Sequence, residues 1–415
     1  MTIDVRTRRQ EDVRPLGRDE ILDALLPDAV RVHGDLGARG IAYLDLPALA
    51  LEVDGRRVSL EARGGTVVLS DGADHAGVTA VLSADALSEL LQDTVSTMGL
   101  AMTSRVKITN GSINDWIGWE PVLRALLDGR KVHEAGDITF VDLDGAELDL
   151  ARTFTIDDDR DEMRNFVEQA GFMHLRNVFE ESEMADLGTD IDEWLGRATP
   201  GDPEYWWATN DREEELPVRV LFFYDKSETL RDLVDDQRYR WIGELTGDGH
   251  VHRRTGEGLV KPLGIMRGLS DLPWHKDCGQ GGHSFTCSGL TCGISVTGAD
   301  RVSGALGVIP GSHRANTMAT GRDRHLDLPA RKLETQTGDV TIHCSDTLHR
   351  AYPPVERPRK VVYSGFTLPA RAGEVRSVDA DKVRAQRSGL SDVQSRIEAA
   401  DNEAAADRYQ AGHGR

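Results

Sequence analysis

A chain of 415 residues with a formal net charge of −21 is too long for one ordinary domain and too acidic to favour a nucleic-acid partner. Hydrophobic residues make up 39% of the chain and charged residues 29%, as in proteins with sizeable buried cores. The sequence has no apolar run of about 18 residues and does not begin like a secretory signal, which favours a cytoplasmic protein without membrane insertion.

The first third of the chain has the pattern of a small α+β domain. Residues 1–19 mix charges with little periodicity and are predicted to be a mobile arm. Within residues 20–135, strands are predicted in "RVSLEARGGTVVLSDG", "GVTAVL" and "SRVKITNGS", and a helix in "SADALSELLQD". Ser83 is a candidate N-cap for that helix. A closing helix is predicted to open near Pro121 and to stop at Gly129.

The order of these pieces resembles the sterol-carrier-protein-2-like fold, in which a sheet and helices enclose an apolar tunnel. The matching segments are "VLSADALSELLQD", "MGLAMTSRVKITNG" and "WEPVLRALLDG". Because this segment has apolar-faced helices, two tryptophans and no metal-type cluster, we expect it to fold independently and to assist a hydrophobic substrate or a homodimer without touching a catalytic metal. The alternative is that its apolar residues form only a core face, which includes Trp116, Trp119, Leu123 and Leu127.

Residues 152–375 have the pattern of a second domain, which begins in the acidic stretch "FTIDDDRDEM". Two amphipathic helices, with the strand "GFMHLRNVF" between them, are predicted to open it. From about 259 to 368, strand follows strand with Gly and Pro between them, as in an antiparallel barrel or jelly roll. Residues 376–415 are predicted to be a charged tail, helical or frayed.

The segment "DLPWHKDCGQGG" contains a candidate metal-binding pair. Alternate residues of a strand share a face, so His275 and Asp277 point together while Lys276 points away. An isolated His-x-Asp is more often a chance pair, but "GDVTIHCSDTLHRAYPP" offers two further histidines, His343 and His349. Two histidines and one carboxylate suit a non-haem Fe(II) centre with open positions for a co-substrate and dioxygen, and zinc is the rival occupant.

With these motifs, residues 152–370 resemble the phytanoyl-CoA dioxygenase family of Fe(II)/2-oxoglutarate oxygenases. Five segments occur in the family's order, namely "FVEQAGFMHLRNVF", "WHKD", "SGALGVIPGSHR", "TGDVTIHCSDTLH" and "RPRKVVYSGF". The resemblance implies a double-stranded β-helix, also called a jelly-roll or cupin-like fold, with flanking helices. The predicted fold class of the whole chain is therefore α+β. The implied cofactors are Fe(II), the co-substrate 2-oxoglutarate and O2.

The resemblance also assigns roles to individual residues. His275, Asp277 and His349 correspond to the metal ligands of the family. Arg359, ten residues after His349, corresponds to the arginine that holds the far carboxylate of 2-oxoglutarate. A guanidinium fork matches both oxygens of such a carboxylate. Lys261, in "LVKPLG", resembles a family lysine near the co-substrate, and an ordinary surface lysine is the equal alternative.

Other candidate residues are expected to have structural roles. His343 is predicted to lie within a strand beside the site, His313 in a Pro-Gly turn, and Cys278 pointing away from the metal. The four cysteines include no C-x-x-C pair and are expected to be reduced. The segment "ANTMATGRDRHLDLPARKLETQ" is expected to be a solvated loop, although it could clamp an anionic substrate through its cations Arg322, Arg324, Arg331 and Lys332.

The function implied by the resemblance is hydroxylation or desaturation of an unactivated C–H bond, with release of succinate and CO2. The substrate class is a small hydrophobic molecule or secondary metabolite, which the family name does not identify further. Halogenating relatives have a small residue in place of Asp277, so its presence favours hydroxylation. The alternatives are a lipid-binding or carrier protein with an inert barrel and a zinc hydrolase. The intact set of four site residues argues against an inert barrel, and a zinc hydrolase leaves Arg359 unexplained.

Overall fold

The computed structural model describes residues 13–72, 75–268, 272–278, 289–319 and 326–368. The helices are α1 (Arg18–Glu20), α2 (Leu26–Tyr43), α3 (Ala84–Leu91), α4 (Thr97–Met102), α5 (Ile113–Gly118), α6 (Glu120–Asp128), α7 (Arg160–Ala170), α8 (Glu181–Gly196), α9 (Phe223–Lys226), α10 (Glu228–Asp235) and α11 (Gln237–Arg240). A π-helical turn (Ile21–Leu25) joins α1 to α2, and a 3-10 helix (Trp241–Thr246) follows α11. None of the described helices is both long and apolar enough to cross a bilayer.

The strands of the first unit are β1 (Leu49–Val53), β2 (Arg56–Arg63), β3 (Thr66–Asp71), β4 (Val78–Leu82) and β5 (Val106–Asn110). Those of the second unit are β6 (Phe172–Leu175), β7 (Tyr205–Asn210), β8 (Glu215–Val220), β9 (Val251–His252), β10 (Glu257–Lys261), β11 (Ile265–Gly268), β12 (Leu272–His275), β13 (Leu290–Ser295), β14 (Leu306–Val308), β15 (Arg331–Leu333), β16 (Val340–Cys344), β17 (His349–Ala351) and β18 (Arg359–Thr367).

The first unit is a five-stranded sheet, in the order β3-β2-β1-β4-β5, with helices packed against it. The predicted strands and helices are all present. The Ser83 hydroxyl accepts a hydrogen bond from the Ala86 N–H, as an N-cap does, and Gly129 ends α6 in the left-handed conformation. Trp116 and Trp119 are fully buried in this core. The sterol-carrier-like nature of the unit stays a prediction, because strand order and a packed core do not define it.

Residues 13–19 do not extend from the protein as the predicted arm. Leu16 is buried, and its N–H donates to the Ser88 hydroxyl at 3.0 Å. The side-chain amide of Gln92 donates to the Arg14 carbonyl at 2.7 Å. An apolar side chain with backbone hydrogen bonds on both sides docks this segment on α3. The rest of the arm, and the predicted tail at 376–415, lie outside the described residues.

The second unit contains two antiparallel sheets. The larger has the strand order β11-β7-β8-β10-β18-β13-β16-β6, with β9 paired to β18, and the smaller has the order β12-β17-β14-β15. Helices α7, α8 and α10 contribute to a core with one face of the larger sheet, where alternate residues such as Cys292 and Ile342 are fully buried. The α+β class with antiparallel sheets is confirmed. The finer prediction of a jelly roll belongs to the proposal below.

Packing of the second unit begins before the acidic stretch that was predicted to open it. Leu148 and Phe154 are buried in its core. The Phe154 N–H donates to the His174 carbonyl at 2.9 Å, and the Phe154 carbonyl accepts from the Arg176 N–H at 2.7 Å. The acidic residues therefore follow a segment already attached to β6, and they do not form a linker between the two units.

His252, in β9, is a half-buried histidine that couples stability to pH. Its ring packs on Tyr239 and Phe366, and its Nε2 lies 2.6 Å from the Ser364 hydroxyl. Burial lowers the pKa of His252 to about 4, from an ordinary value of 6.5. The unfolded state therefore binds more protons between pH 6.5 and pH 4, and stability is lost as the pH falls through this window.

We expect this titration to cost about 1 kcal/mol of unfolding free energy between pH 6.5 and pH 4.5, after allowance for the part of the ring that meets solvent. Urea unfolding at the two pH values measures it. The loss should be smaller by that amount in His252→Gln, which cannot take up the proton. His75→Gln, at an exposed position, should behave like the unmodified chain. An equal loss of unfolding free energy in the unmodified chain, His252→Gln and His75→Gln would contradict the assignment of this pH dependence to His252.

Candidate active site

The three predicted metal ligands lie together where β12 meets β17. His275 and His349 are register partners across the two strands. The Nε2 atoms of His275 and His349 lie 3.5 and 3.4 Å from Oδ1 of Asp277. All three ligand atoms lie within 4.8 Å of one another. Two imidazole nitrogens and one carboxylate oxygen in this arrangement can hold a first-row divalent metal and leave coordination positions open.

Neighbouring groups orient these ligands. The Nδ1–H of His349 donates to the Thr347 carbonyl at 2.9 Å, which leaves Nε2 free of hydrogen and able to bind a metal. The Thr291 hydroxyl donates to Oδ2 of Asp277 at 2.9 Å and leaves Oδ1 directed at the two histidines. Burial raises the pKa of Asp277, but the neighbouring imidazoles of His349, His275 and His343 lower it by a larger amount, and the pKa lies well below the usual 3.8. Asp277 is therefore a carboxylate at neutral pH.

His343 lies within β16, beside the site, as the sequence predicted. Its ring centroid is 4.0 Å from that of His349, and its Nε2 lies 3.7 Å from Oδ2 of Asp277. It thus faces the carboxylate oxygen that Thr291 binds, whereas His275 and His349 face Oδ1. His343 is fully buried, and among the described residues neither of its ring nitrogens has a hydrogen-bond partner.

Arg359 and Lys261 lie opposite each other on neighbouring strands, β18 and β10. Both are buried, with exposed fractions of 4% and 1%. The Lys261 ammonium donates to the Tyr352 carbonyl at 2.5 Å. In contrast, Nε and Nη2 of Arg359 are buried without a hydrogen-bond partner in the described part of the chain. Burying a charged guanidinium without hydrogen-bond partners costs free energy of folding, so the site fits an anionic ligand that would pair with it.

The strand alternation directs Arg359 toward the metal-binding side of the larger sheet. The next residue, Lys360, contacts α8 through the Gly188 carbonyl and Asp192, so it marks the helix-covered face. Arg359 lies on the other face. The register of β18, β13 and β16 puts Thr291 and His343 on that same face. The sequence predicted this division between Arg359 and Lys360.

The other predicted residues have structural contacts. His313 donates through Nε2 to the Glu168 carbonyl at 3.0 Å and fixes its turn to α7. Cys278 is buried with its sulfur 3.5 Å from Asp346, and the described cysteines are free thiols. Lys332 lies in β15 rather than in a solvated loop, with its ammonium 4.7 Å from the centre of the Tyr352 ring. Three further predicted residues, Cys287, Arg322 and Arg324, lie outside the described residues.

Sequence reasoning missed two groups next to the ligands. Thr291 shares a sheet face with His343 in the alternating strand "LTCGIS", and this alternation could have indicated its position. Lys276 and Asp346 form a buried ion pair at 2.9 Å behind the site. Lys276 was expected only to point away from the metal, and nothing local in the sequence indicates its distant partner.

A family model described as phytanoyl-CoA dioxygenase (PhyH) matches residues 167–359. This part of the chain is a phytanoyl-CoA dioxygenase family domain. The match spans Lys261, the three candidate ligands and Arg359. It confirms the predicted oxygenase class, for which the cofactors are Fe(II) and 2-oxoglutarate. The convergence of the His-Asp-His set within this domain agrees with such a metal.

Several solved structures resemble the chain. The epimerase SnoN, in complex with Fe3+, alpha ketoglutarate and nogalamycin RO, is 16% identical, and the match covers 50% of this chain and 83% of that chain with a TM-score of 0.41. AviO1 from Streptomyces viridochromogenes Tue57 is 21% identical, and the match covers 51% of this chain and 96% of that chain with a TM-score of 0.41. EctD from S. alaskensis with 2-oxoglutarate and 5-hydroxyectoine is 16% identical, and the match covers 57% of this chain and 83% of that chain with a TM-score of 0.43. Because these scores are low, the family assignment rests on the sequence match. A comparison with curated proteins gave no match.

Proposed function

We propose that this protein is an Fe(II)- and 2-oxoglutarate-dependent dioxygenase that hydroxylates or desaturates an unactivated C–H bond of a small hydrophobic or secondary-metabolite substrate. The products from the co-substrate are succinate and CO2. The observation that carries the proposal is the buried Arg359 guanidinium, which lacks a partner among the described residues and lies on the sheet face that bears the metal site. A metal site alone would fit zinc, but a second buried site for a carboxylate fits 2-oxoglutarate.

Each residue has a distinct task in this proposal. His275, Asp277 and His349 would hold the metal, which supplies the oxidative chemistry when bound. Thr291 keeps the Asp277 carboxylate turned so that one oxygen faces the two histidines. Arg359, with Lys261 beside it, would hold the far carboxylate of the co-substrate in a bidentate or charge-assisted contact. The ligand carboxylate of Asp277 favours hydroxylation or desaturation over halogenation.

The antiparallel sheets support a double-stranded β-helix as the fold around this site. His275 and His349 come from the smaller sheet and Asp277 from the turn after β12, whereas Thr291, His343 and Arg359 come from one face of the larger sheet. Contact between Thr291 and Asp277 joins the two sheets at the metal site. In such a fold the site lies between the sheets, where side chains of both can exclude water from the reacting groups.

The proposal is tested by measuring succinate made from 2-oxoglutarate by the full chain under air with added Fe(II). We expect slow succinate formation without any further substrate, dependent on iron and on 2-oxoglutarate. Asp277→Ala should abolish it, because the metal loses the one carboxylate among its three proposed ligands. Arg357→Ala, which removes an exposed ion pair to Asp300, is the control and should keep the rate. Succinate formation at the same rate in Asp277→Ala and in the unmodified chain would refute the proposal.

A further inference from the structure

We infer that the first unit positions the metal-binding strand β12, through the segment 312–319 that lies between the two units. This inference rests on the proposed metal site. It assigns to the first unit a part in the geometry of that site, although the sequence predicted a domain independent of it. Three consecutive sets of contacts connect the proposed metal site to the first unit.

The first set lies directly behind the metal ligands. Lys276 stands between the two ligand residues of its segment, and its side chain is 3% exposed. Its ammonium contacts Oδ1 of Asp346 at 2.9 Å and the Ser312 carbonyl at 3.3 Å. Asp346 is fully buried in the turn that precedes His349. One buried ion pair therefore ties the β12 end of the site to the turn before the third ligand.

The second set attaches the segment 312–319 to both ligand-bearing strands. The Lys276 N–H donates to the Ala319 carbonyl at 3.1 Å. The Ser312 hydroxyl accepts from the N–H of Leu348, the residue before His349, at 2.8 Å. At its far end the segment enters the first unit, because Ala319 is buried in the hydrophobic core of that unit. A shift of this segment would therefore move β12 relative to β17.

The third set fixes the segment to helix α6 of the first unit. The Asn316 amide donates to the carbonyls of Pro121 and Arg130, each at 2.8 Å. The Asn316 carbonyl accepts from the His133 N–H at 3.1 Å. Asn316 is 6% exposed and thus forms three buried or half-buried bonds to the two ends of α6 and the residues after it. The Asn316 side chain makes two of these bonds and therefore helps to fix where the segment lies on the first unit.

The surroundings of Asn316 include buried charged and polar side chains. A small cavity at this junction, large enough for about one water molecule, is lined by residues of both units, among them Glu120, Arg124, Lys276 and Asp346. Oε1 of Glu120 is buried there without a hydrogen-bond partner in the described ranges. Directional hydrogen bonds hold this junction together with the apolar packing of Ala319, so removing one of these bonds should change its geometry.

The test is a Co(II) titration of the full chain, followed by the visible d–d absorption of the bound ion. In Asn316→Ala we expect the Kd for Co(II) to rise by about three- to tenfold and the d–d spectrum to change. This rise is no larger than the usual loss of metal affinity when a group that directly contacts a ligand is removed. Asn316→Ser keeps a hydroxyl donor for one of the two carbonyls, and its Kd should be intermediate. If Asn316→Ala does not fold, the Kd and the spectrum of Asn316→Ser test the inference instead.

The matched control is Asp327→Ala. Asp327 also bonds across the junction, to His133 Nε2 and to the Gly136 N–H, each at 2.8 Å, but it lies outside the segment 312–319. Its loss should lower Tm and leave the Kd and the d–d spectrum unchanged. If the Asn316 variants lower Tm but bind Co(II) with the unmodified Kd and spectrum, the inference is wrong. If the unmodified chain does not bind Co(II), the proposed metal site itself is wrong.

Discussion

Arg359→Ala should raise the concentration of 2-oxoglutarate needed for half-maximal succinate formation by about 30-fold to more than 1,000-fold. Leaving a buried carboxylate without its cation costs roughly 2–5 kcal/mol, and each 1.4 kcal/mol is about a factor of ten in affinity. The guanidinium is buried and lacks a partner among the described residues, so no carboxylate of the described part of the chain takes the place of the ligand. Iron binding should persist, because Arg359 is not among the residues that converge on the metal position.

The neighbouring residue provides the control for this experiment. Lys360→Ala removes a cation from the same strand, but from the opposite face, where its ammonium contacts Asp192 and the Gly188 carbonyl. We expect the 2-oxoglutarate requirement of this variant to stay within about twofold of the unmodified chain, since only an exposed ion pair is lost. An unchanged requirement in Arg359→Ala would assign the carboxylate to another cation. Lys261, its buried neighbour, would then be replaced next.

Much of the candidate site could be predicted because strands impose a simple rule on side-chain direction. Alternation separated Arg359 from Lys360, and the structure agrees. Likewise, Ser83 could be predicted as an N-cap because capping depends on neighbours within one turn. In each case the decisive contacts are local in sequence, or follow from the backbone geometry of one element. His275 and Asp277 also lie together, but β12 ends at His275 and Asp277 lies in the turn after it, so the predicted strand alternation does not explain this pair.

The unpredicted features depend on contacts between distant parts of the chain. Asn316 bonds to backbone groups almost 200 positions earlier, and an asparagine after a turn gives no sign of such partners. Lys276 was expected only to point away from the metal, and its pairing with Asp346 depends on how two loops pack together. Leu16 lies in a charged segment, and its burial depends on a surface offered by α3. Tertiary packing, and not local propensity, determined these outcomes.

Replacing a metal ligand should have the largest effect of any change considered, and it separates the two histidines that compete for the distal position. His275→Ala and His349→Ala each remove one of three protein ligands, so we expect iron binding to fall by at least about 100-fold, beyond the usual effect of second-shell changes. His343→Ala should leave iron bound, because the His343 ring faces Oδ2 of Asp277 and not the shared position at Oδ1.

The most direct measurement is the weak visible charge-transfer band that appears when Fe(II) and 2-oxoglutarate are bound together without oxygen. Anaerobic addition of both to the full chain should produce this band near one equivalent of iron. The band should be absent in His275→Ala and His349→Ala and mostly intact in His343→Ala. Loss of the band in His343→Ala, with retention in His349→Ala, would reverse the choice of distal ligand. Absence of the band from the folded, iron-loaded unmodified chain would contradict the assignment of this site to Fe(II) and 2-oxoglutarate.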